Sequence, residues 1–135
     1  MSNSVACIDY RNGKLLVAKR IEKGEMGGRW EFPGGKIEEG EDYAAAIHRE
    51  MLEEFGCDCS IYERLAEGTF IHKQVECSVT AFRIKLKNDG SKEPFKLTEH
   101  TEAKWIKADA IKTLSFVDSD LNIFDQIKKS LGIVL

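Results

Sequence analysis

The sequence is as informative for what it lacks as for what it contains. None of its apolar runs approaches the roughly 18–20 residues that a membrane helix needs. Only 2 prolines and 11 glycines occur among 135 residues, which excludes a proline-rich or collagen-like chain. The first residues lack a basic segment followed by an apolar one, so we expect no secretory signal and a cytoplasmic location. We therefore expect a soluble single domain over residues 1–135 that does not contact a membrane.

Basic residues are not in excess. The net charge is −3, which argues against a broad surface for duplex DNA or RNA. The charge is uneven, since residues 1–36 carry a net +3 and residues 37–57 a net −6. A short acidic segment that directly follows a basic one is the first unusual local feature of the sequence.

Four cysteines are present, none in a CxxC pair, so a disulfide framework is not expected. Cys57 and Cys59 flank Asp58 at the start of a predicted strand, and we do not interpret them as a metal site. We interpret all four as small buried hydrophobes.

Periodicity and turn signals predict a chain of strands interrupted by one helix and closed by another. Residues 11–13, Arg-Asn-Gly, are typical of a hairpin turn. Strands are predicted at 5–10, 14–19, 30–32, 59–65, 68–72, 74–86 and 102–106, and helices at 42–55, 108–114 and 118–131. This order predicts an α/β fold with a mixed sheet.

The helix at 42–55 places three carboxylates on one edge. On a helical wheel Glu50, Glu53 and Glu54 lie beside an apolar stripe that includes Tyr43 and Met51. Glu50 and Glu54 form a like-charge i,i+4 pair, which costs a few tenths of a kcal/mol. The clustering has two interpretations, an ordinary solvated acidic face or a site for a divalent cation, which takes oxygen ligands.

A glycine turn just upstream favours the cation site. Pro33-Gly34-Gly35 lets backbone groups approach a ligand closely, because glycine has no Cβ. The sequence therefore predicts a tight loop packed against a helix that carries a cluster of carboxylates.

The same residues resemble the Nudix box, G-x5-E-x7-R-E-U-x-E-E-x-G-U, over residues 35–57. Gly35, Glu41 and Arg49 occupy its first fixed positions, and the run Glu50-Met51-Leu52-Glu53-Glu54-Phe55-Gly56-Cys57 completes it. Every fixed position matches, which is far more specific than a lone glycine motif. Residues 14–20 and 30–36, Glu99 before Trp105, and residues 118–120 further resemble the MutT-like branch.

This resemblance implies a Nudix fold, an α/β/α sandwich around a mixed β-sheet. It implies a hydrolase of phosphoric anhydride bonds that uses Mg²⁺, with Mn²⁺ as an alternative, and converts a nucleoside triphosphate to a monophosphate and diphosphate. The implied metal ligands are Glu50, Glu53, Glu54 and the Gly34 carbonyl. Glu53 and Glu99 both stay open as the general base.

Further roles follow from the resemblance. Arg49 and Glu41 are expected to be architectural, together with Gly35, since an arginine can hold carboxylates by bidentate pairing. Glu41 near the helix start is also favourable to the helix dipole. The expected substrate-binding set is Arg20, Glu31, Phe32, Pro33, Gly34 and Asp120. A solvated strand end is the alternative for Arg20, and a core aromatic for Phe32.

Asp120 corresponds to a position that reads the base edge in MutT-like proteins. An ionised carboxylate only accepts hydrogen bonds, which favours the N1–H and 2-amino group of guanine or the amino group of cytosine. The first expected substrate is a purine triphosphate of the 8-oxo-dGTP kind, and the second is CTP or dCTP. Nucleotide sugars and dinucleoside polyphosphates come third.

Two other classes of function stay open. One is a non-catalytic nucleotide-binding module, although such a module has no need of all three glutamates. The other is a structural Ca²⁺ protein, which the absence of an Asp-x-Asp-x-Asp-Gly loop disfavours. We expect a monomer or a homodimer.

The remaining polar residues are expected to be structural. Asp118 is interpreted as the N-cap of the last helix. His48, His72 and His100 show no ligand spacing. His100 is expected at the surface, with contact to the substrate beside Glu99 as the alternative. Trp105 and Phe70 are expected in the core.

Overall fold

The computed structural model describes residues 2–133. Within these residues, two α-helices and a short 3₁₀ helix accompany eight strands. The elements are β1 (Ser2–Ile8), β2 (Tyr10–Arg11), β3 (Lys14–Arg20), β4 (Trp30–Glu31), β5 (Gly34–Lys36), α1 (Tyr43–Phe55), β6 (Cys59–His72), β7 (Val75–Leu86), β8 (His100–Lys107), the 3₁₀ helix (Ala108–Thr113) and α2 (Asp118–Leu131). Among the helices within residues 2–133, none is long and apolar enough to cross a membrane.

The strands form two sheets. The first has the order β5-β1-β7-β6, with β1 parallel to β7 and the other pairs antiparallel, so it is the mixed sheet that the sequence predicts. In the second sheet β3 pairs antiparallel with β2, β4 and β8. This second, antiparallel sheet is a feature that the sequence pattern did not distinguish from the first.

Successive apolar residues of β1 and of β3 belong alternately to two hydrophobic cores, one on each side of the strands. Leu15 and Val17 face a cluster that contains residues of α2, whereas Leu16 and Ala18 face a cluster that contains residues of α1. All four are fully buried. Because successive side chains point to opposite faces, a continuous apolar strand is covered by a helix on either side. The arrangement confirms the predicted α/β/α sandwich.

Local signals explain several of these elements. Asn12 (φ 52°) and Gly13 (φ 78°) form the turn between β2 and β3, as the Asn-Gly pair predicts. Helix α1 begins after Asp42, whose Oδ1 accepts from the Ala45 N–H at 2.8 Å. It ends at Gly56 in the left-handed conformation. These signals placed the boundaries of α1 correctly.

The N-cap prediction for Asp118 is wrong. Val117 is the N-cap of α2, without a side-chain capping bond, and Asp118 lies inside the first turn. Its side chain is 83% exposed, with Oδ2 3.7 Å from Nη1 of Arg29. The Trp30–Phe116 bridge and the Val117 N–H to Trp30 carbonyl bond shift the helix start by one residue relative to the sequence signal.

Several apolar residues are less buried than the pattern predicts. Tyr43 and Leu121 are exposed, and Trp105 and Phe70 are only partly buried. Tyr43 instead packs its ring on Phe82 at 5.1 Å between centroids. The four cysteines are free thiols, and three of them are buried, as expected of small hydrophobes.

Candidate active site

Two carboxylates of α1 point into the protein rather than into solvent. Glu54 is 1% exposed and Glu50 is 8% exposed, although both are acidic. They lie one helical turn apart, on the α1 face that packs against β1 and β5, so they enter the wall of the same cavity. The predicted clustering of glutamates is therefore present as a buried pair.

Burial raises the pKa of both groups. The pKa of Glu54 rises to about 9, first because of desolvation and then because of the charge of Glu50, against a hydrogen bond from the Gly34 N–H. Burial also raises the pKa of Glu50, while the adjacent Arg49 opposes the shift. Two ionised carboxylates in this position need a counter-charge.

Glycines make room for this pair. A Cβ on Gly35 would lie 2.5 Å from Oε1 of Glu50, so the carboxylate occupies the space that a larger residue would fill. Gly34 has φ 145°, and a Cβ there would lie 2.0 Å from the Val5 carbonyl oxygen. Its N–H donates to Glu54 at 3.1 Å. The glycine turn is thus fitted to the two carboxylates.

Arg49 connects this part of the site. It donates to both oxygens of Glu41 at 2.7 and 2.9 Å, to Glu50 at 2.8 Å and to the Lys36 carbonyl at 2.9 Å. The bonds from Arg49, followed by one from the Glu38 N–H, lower the pKa of Glu41 to about 2. Glu41 lies directly before the N-cap residue Asp42. The geometry agrees with architectural roles for both residues.

The third helix glutamate and the loop glutamate are both exposed. The Glu53 side chain is 54% exposed, and its Oε2 accepts from Arg49 at 3.2 Å. Glu99 lines the same cavity as Glu50 and Glu54, whose pKa values its charge raises. The structure thus brings Glu50, Glu54 and Glu99 to one cavity, whereas Glu53 does not line it and contacts Arg49 instead.

Arg20 and Glu31 form an ion pair beside the cavity. Nη1 of Arg20 lies 3.1 Å and 3.3 Å from the two carboxylate oxygens of Glu31. Because β3 and β4 are paired, both side chains emerge near the same sheet edge. Both line the cavity that contains Glu50 and Glu54.

The expectation that His100 lies at the surface is wrong. Its side chain is 1% exposed, and its Nε2 lies 2.8 Å from Oε2 of Glu31. The sequence prediction began the last strand at residue 102, but β8 begins at His100, opposite Arg20. Extending the strand by two residues would have placed His100 beside the site.

Asp120 is the other buried acid of the site. It is 7% exposed, and its Oδ2 accepts from the Phe32 N–H at 2.9 Å. Burial, followed by the charge of Glu31, raises its pKa to about 7. Phe32 is 3% exposed and packs edge-on against Phe116 at 5.1 Å between centroids. Phe32 is therefore a core aromatic that also borders the cavity.

A second cavity adjoins the first. The cavity with the carboxylates has a volume of about 290 Å³, and its neighbour about 530 Å³. Arg20, Glu31, Phe70 and Ser119 line both. An acidic cavity continuous with a larger, more apolar one suits a ligand with an anionic end and a ring-bearing end.

Comparisons with known proteins give the context for this geometry. A family model described as NUDIX domain matches residues 2–127. A Mycobacterium tuberculosis protein named "Putative 8-oxo-dGTP diphosphatase 2" is 29% identical over 131 residues, or 95% of this chain and 89% of that protein. An Escherichia coli protein named CTP pyrophosphohydrolase is 37% identical over 78 residues, or 53% of this chain and 58% of that protein. Among solved structures, the E. coli ORF135 protein gives a TM-score of 0.83 at 25% identity, with 96% of this chain and 89% of that chain covered.

The sandwich fold and the carboxylate-lined cavity define a hydrolase that acts on phosphoric anhydride bonds. The chain belongs to the NUDIX domain family, because the family model matches most of its length. Nudix hydrolases act on small nucleotide substrates and generally use divalent metals.

The residues present fit a divalent metal. Glu50 and Glu54 are oxygen donors, and the basic groups beside them among the described residues are Arg49, 2.8 Å from Glu50, and His100, 3.9 Å from Glu54. Gly34 and Gly35 leave the space beside these carboxylates free of side chains. Hard cations such as Mg²⁺ prefer such oxygen ligands.

Proposed function

We propose that this chain is a Mg²⁺-dependent nucleoside triphosphate pyrophosphohydrolase, with Mn²⁺ as an alternative metal. It would convert a (deoxy)nucleoside triphosphate and water to the monophosphate and diphosphate. The observation that carries the proposal is the buried pair Glu50 and Glu54, set against the glycine turn and opening toward a larger cavity. A non-catalytic binding module has no need of such a pair.

The residues of the site have distinct tasks in this reaction. Glu50, Glu53, Glu54 and the Gly34 carbonyl would hold the cation. When bound, the cation neutralises the phosphates, lowers the pKa of the attacking water and stabilises charge on the departing diphosphate. Glu53 or Glu99 would accept the proton of that water as its oxygen bonds to phosphorus and the α–β anhydride bond breaks.

The substrate groups divide between the two cavities. The phosphates would occupy the acidic cavity with its cation, within reach of Arg20, whose guanidinium is held by Glu31. Phe32 and Gly34 would form the wall beside them, with Pro33 buried between the two. The base would enter the larger cavity and reach toward Asp120, which lines the acidic cavity next to Ser119, a residue that lines both.

The preferred substrate class is a purine triphosphate of the 8-oxo-dGTP kind, with removal of damaged nucleotides from the pool as its role. The likeness over 95% of this chain to the protein named "Putative 8-oxo-dGTP diphosphatase 2" supports it. CTP or dCTP is the second candidate, supported by the partial likeness to a protein named CTP pyrophosphohydrolase. Asp120 accepts from the donor groups of either base.

The reaction is tested with a panel of nucleoside triphosphates in which diphosphate and phosphate are detected separately, with and without EDTA. We expect diphosphate release that EDTA abolishes. Hydrolysis unaffected by EDTA would contradict the metal assignment, and nucleotide binding without any hydrolysis would favour the binding module.

Variants of the glutamates test the metal site. Glu53→Gln and Glu54→Gln should each lower turnover by at least about 10², because each removes a charged ligand at little cost in stability. Glu63→Gln is the matched control, since Glu63 is exposed on β6 outside the site. If Glu54→Gln turned over substrate as fast as the wild type, the assignment of Glu54 as a metal ligand would be wrong.

Asp120→Asn tests the base contact. Because an amide donates as well as accepts, the ranking of nucleotides should change while metal dependence stays the same. An unchanged order of preference among the nucleotides would mean that Asp120 does not contact the base and only accepts the bond from the Phe32 N–H.

We also propose that residues 1–135 form one domain, a monomer or homodimer of the cytoplasm that binds neither membranes nor duplex nucleic acid. The net charge of −3 is consistent with the absence of binding to duplex nucleic acid. Light scattering of the purified protein distinguishes the monomer from the homodimer.

A further inference from the structure

His100 is buried between two carboxylates of the site without lining the cavity itself. Its Nε2 lies 2.8 Å from Oε2 of Glu31, and its Nδ1 lies 3.9 Å from Oε2 of Glu54. Within residues 2–133, Nδ1 has no hydrogen-bond partner. The imidazole also lies almost parallel to the ring of Phe55, at 23° with centroids 6.0 Å apart. The ring thus occupies a fixed position behind the carboxylates.

The chemistry of the neighbours fixes how the ring is oriented. An ionised Glu31 has no proton to give, so Nε2 is the donor in their hydrogen bond. With Nε2 fixed by this bond, the second ring nitrogen, Nδ1, faces Glu54. Glu31 also accepts from Arg20, which anchors the acceptor from the other side.

Glu54 is contacted from two directions. Its Oε1 accepts from the Gly34 N–H at 3.1 Å, and its Oε2 lies 3.9 Å from Nδ1 of His100, where the imidazole edge limits the space into which the carboxylate can turn. Side chains behind a metal-binding carboxylate determine its orientation, and their loss typically costs 10–100-fold in metal affinity or activity. A histidine that only filled the core would not require the 2.8 Å bond between Nε2 and Glu31 that fixes the ring.

We infer that His100 is a positioning residue, which orients the metal-binding carboxylate of Glu54 and links it through Glu31 to Arg20. The chain Arg20–Glu31–His100–Glu54 connects the side of the larger cavity with the carboxylate pair. The inference rests on the proposed function, because it assigns to Glu54 the binding of the cation.

Three substitutions of His100 separate positioning from packing. His100→Phe keeps an aromatic ring against Phe55 but removes both nitrogens. His100→Gln can place an N–H near the position of Nε2, whereas His100→Asn is too short to reach Glu31. We expect kcat to fall about 10–100-fold in the Phe and Asn variants, with KM for the nucleotide changed less than threefold, and the Gln variant to recover most of the loss. Equal kcat in all three variants and the wild type would overturn the inference.

Mn²⁺ binding without nucleotide gives a readout that does not depend on turnover. We expect the dissociation constant for Mn²⁺, measured by electron paramagnetic resonance, to rise about tenfold in the Phe and Asn variants and little in the Gln variant. If the wild type binds Mn²⁺ but hydrolyses no nucleotide, the proposed function fails while this comparison still tests His100. Equal Mn²⁺ affinity in folded variants would contradict positioning.

The wild-type protein provides a test that needs no variant to fold. The chain has 3 histidines, so their ring nitrogens are separable by ¹⁵N NMR. Saturating Mg²⁺ should shift the ring resonances of His100, because the cation changes the charge beside its Nδ1. His72, which is exposed at the end of β6, is the internal control and should not shift. Identical His100 resonances with and without Mg²⁺ would refute the link.

Discussion

Asp120 carries a buried carboxyl group whose pKa of about 7 predicts a specific pH dependence of stability. The folded-state pKa lies above the ordinary value of 3.8, so the folded protein binds the proton more tightly than the unfolded chain. The stabilisation is complete below about pH 4 and is lost as the pH rises to about 7. Asp120→Asn removes this titration. The variant should therefore lose less stability than the wild type as the pH rises through this range.

We expect the difference in free energy of unfolding between Asp120→Asn and wild type to shift in favour of the variant between pH 4 and pH 8. The shift has an upper limit of about 4 kcal/mol, which corresponds to three pKa units. Urea unfolding at both pH values in EDTA measures it, and the other buried acids cancel because both proteins contain them. Parallel stability curves would show that Asp120 does not titrate in this range.

Gly35 should be required for the position of Glu50 rather than for the fold. In Gly35→Ala the new Cβ would meet the Glu50 carboxylate, the end of a flexible side chain, so the carboxylate moves while the backbone stays. We expect Mn²⁺ affinity to fall at least about tenfold. The free energy of unfolding should change by less than about 1 kcal/mol.

Calorimetry and Mn²⁺ titration of the same Gly35→Ala preparation check both halves of this prediction. Unchanged Mn²⁺ affinity would mean that the space beside Gly35 is not needed for the site. A large loss of stability would mean instead that the backbone cannot accept alanine here.

Among single residues, motif spacing identified the carboxylates but not their partners. Glu50, Glu53 and Glu54 could be predicted, because a helical wheel places them together. The burial of His100 could not, since Glu54 and Phe55 of α1 and Glu31 of β4 approach it from elements that are distant from β8 in the chain.

The two α-helices begin differently, although an acid stands at the start of each. The Asp42 side chain caps α1, whereas Asp118 makes no capping bond at α2. Asp42→Ala should cost about 1 kcal/mol of stability, because it leaves the Ala45 N–H without its partner. Asp118→Ala is the matched control and should cost no more than about 0.5 kcal/mol of stability. It removes only a favourable interaction with the helix dipole and the surface contact with Arg29.

Chemical denaturation of the two alanine variants beside the wild type gives both values. Equal losses at both positions would contradict the capping geometry at α2. The sequence signal was the same at both sites, and the bonds of Trp30 with the segment before α2 made the difference.

On the scale of the whole molecule, β3 divides the interior into two cores. Leu15 and Leu16 are neighbours in the chain but belong to different clusters on opposite faces. Each Leu→Ala substitution should cost about 3 kcal/mol, because it leaves a cavity in a closely packed interior. The two costs should add within about 0.5 kcal/mol, because the side chains share no packing partners.

Urea unfolding of both single variants and the double variant tests this division. Because domains of this size have about 5–15 kcal/mol of stability, the double variant should be close to unfolding. A coupling energy above about 1 kcal/mol would indicate one continuous core.

Local sequence patterns were enough to predict the helix of carboxylates, the glycine turn and the strand that is buried on both faces. These features are local, since periodicity, caps and spacing act over a few residues. Packing between distant segments established which glutamates are buried, where α2 begins and that His100 lies behind Glu54. Those outcomes depend on contacts between strands and helices that are far apart in the chain, and no local pattern encodes such contacts.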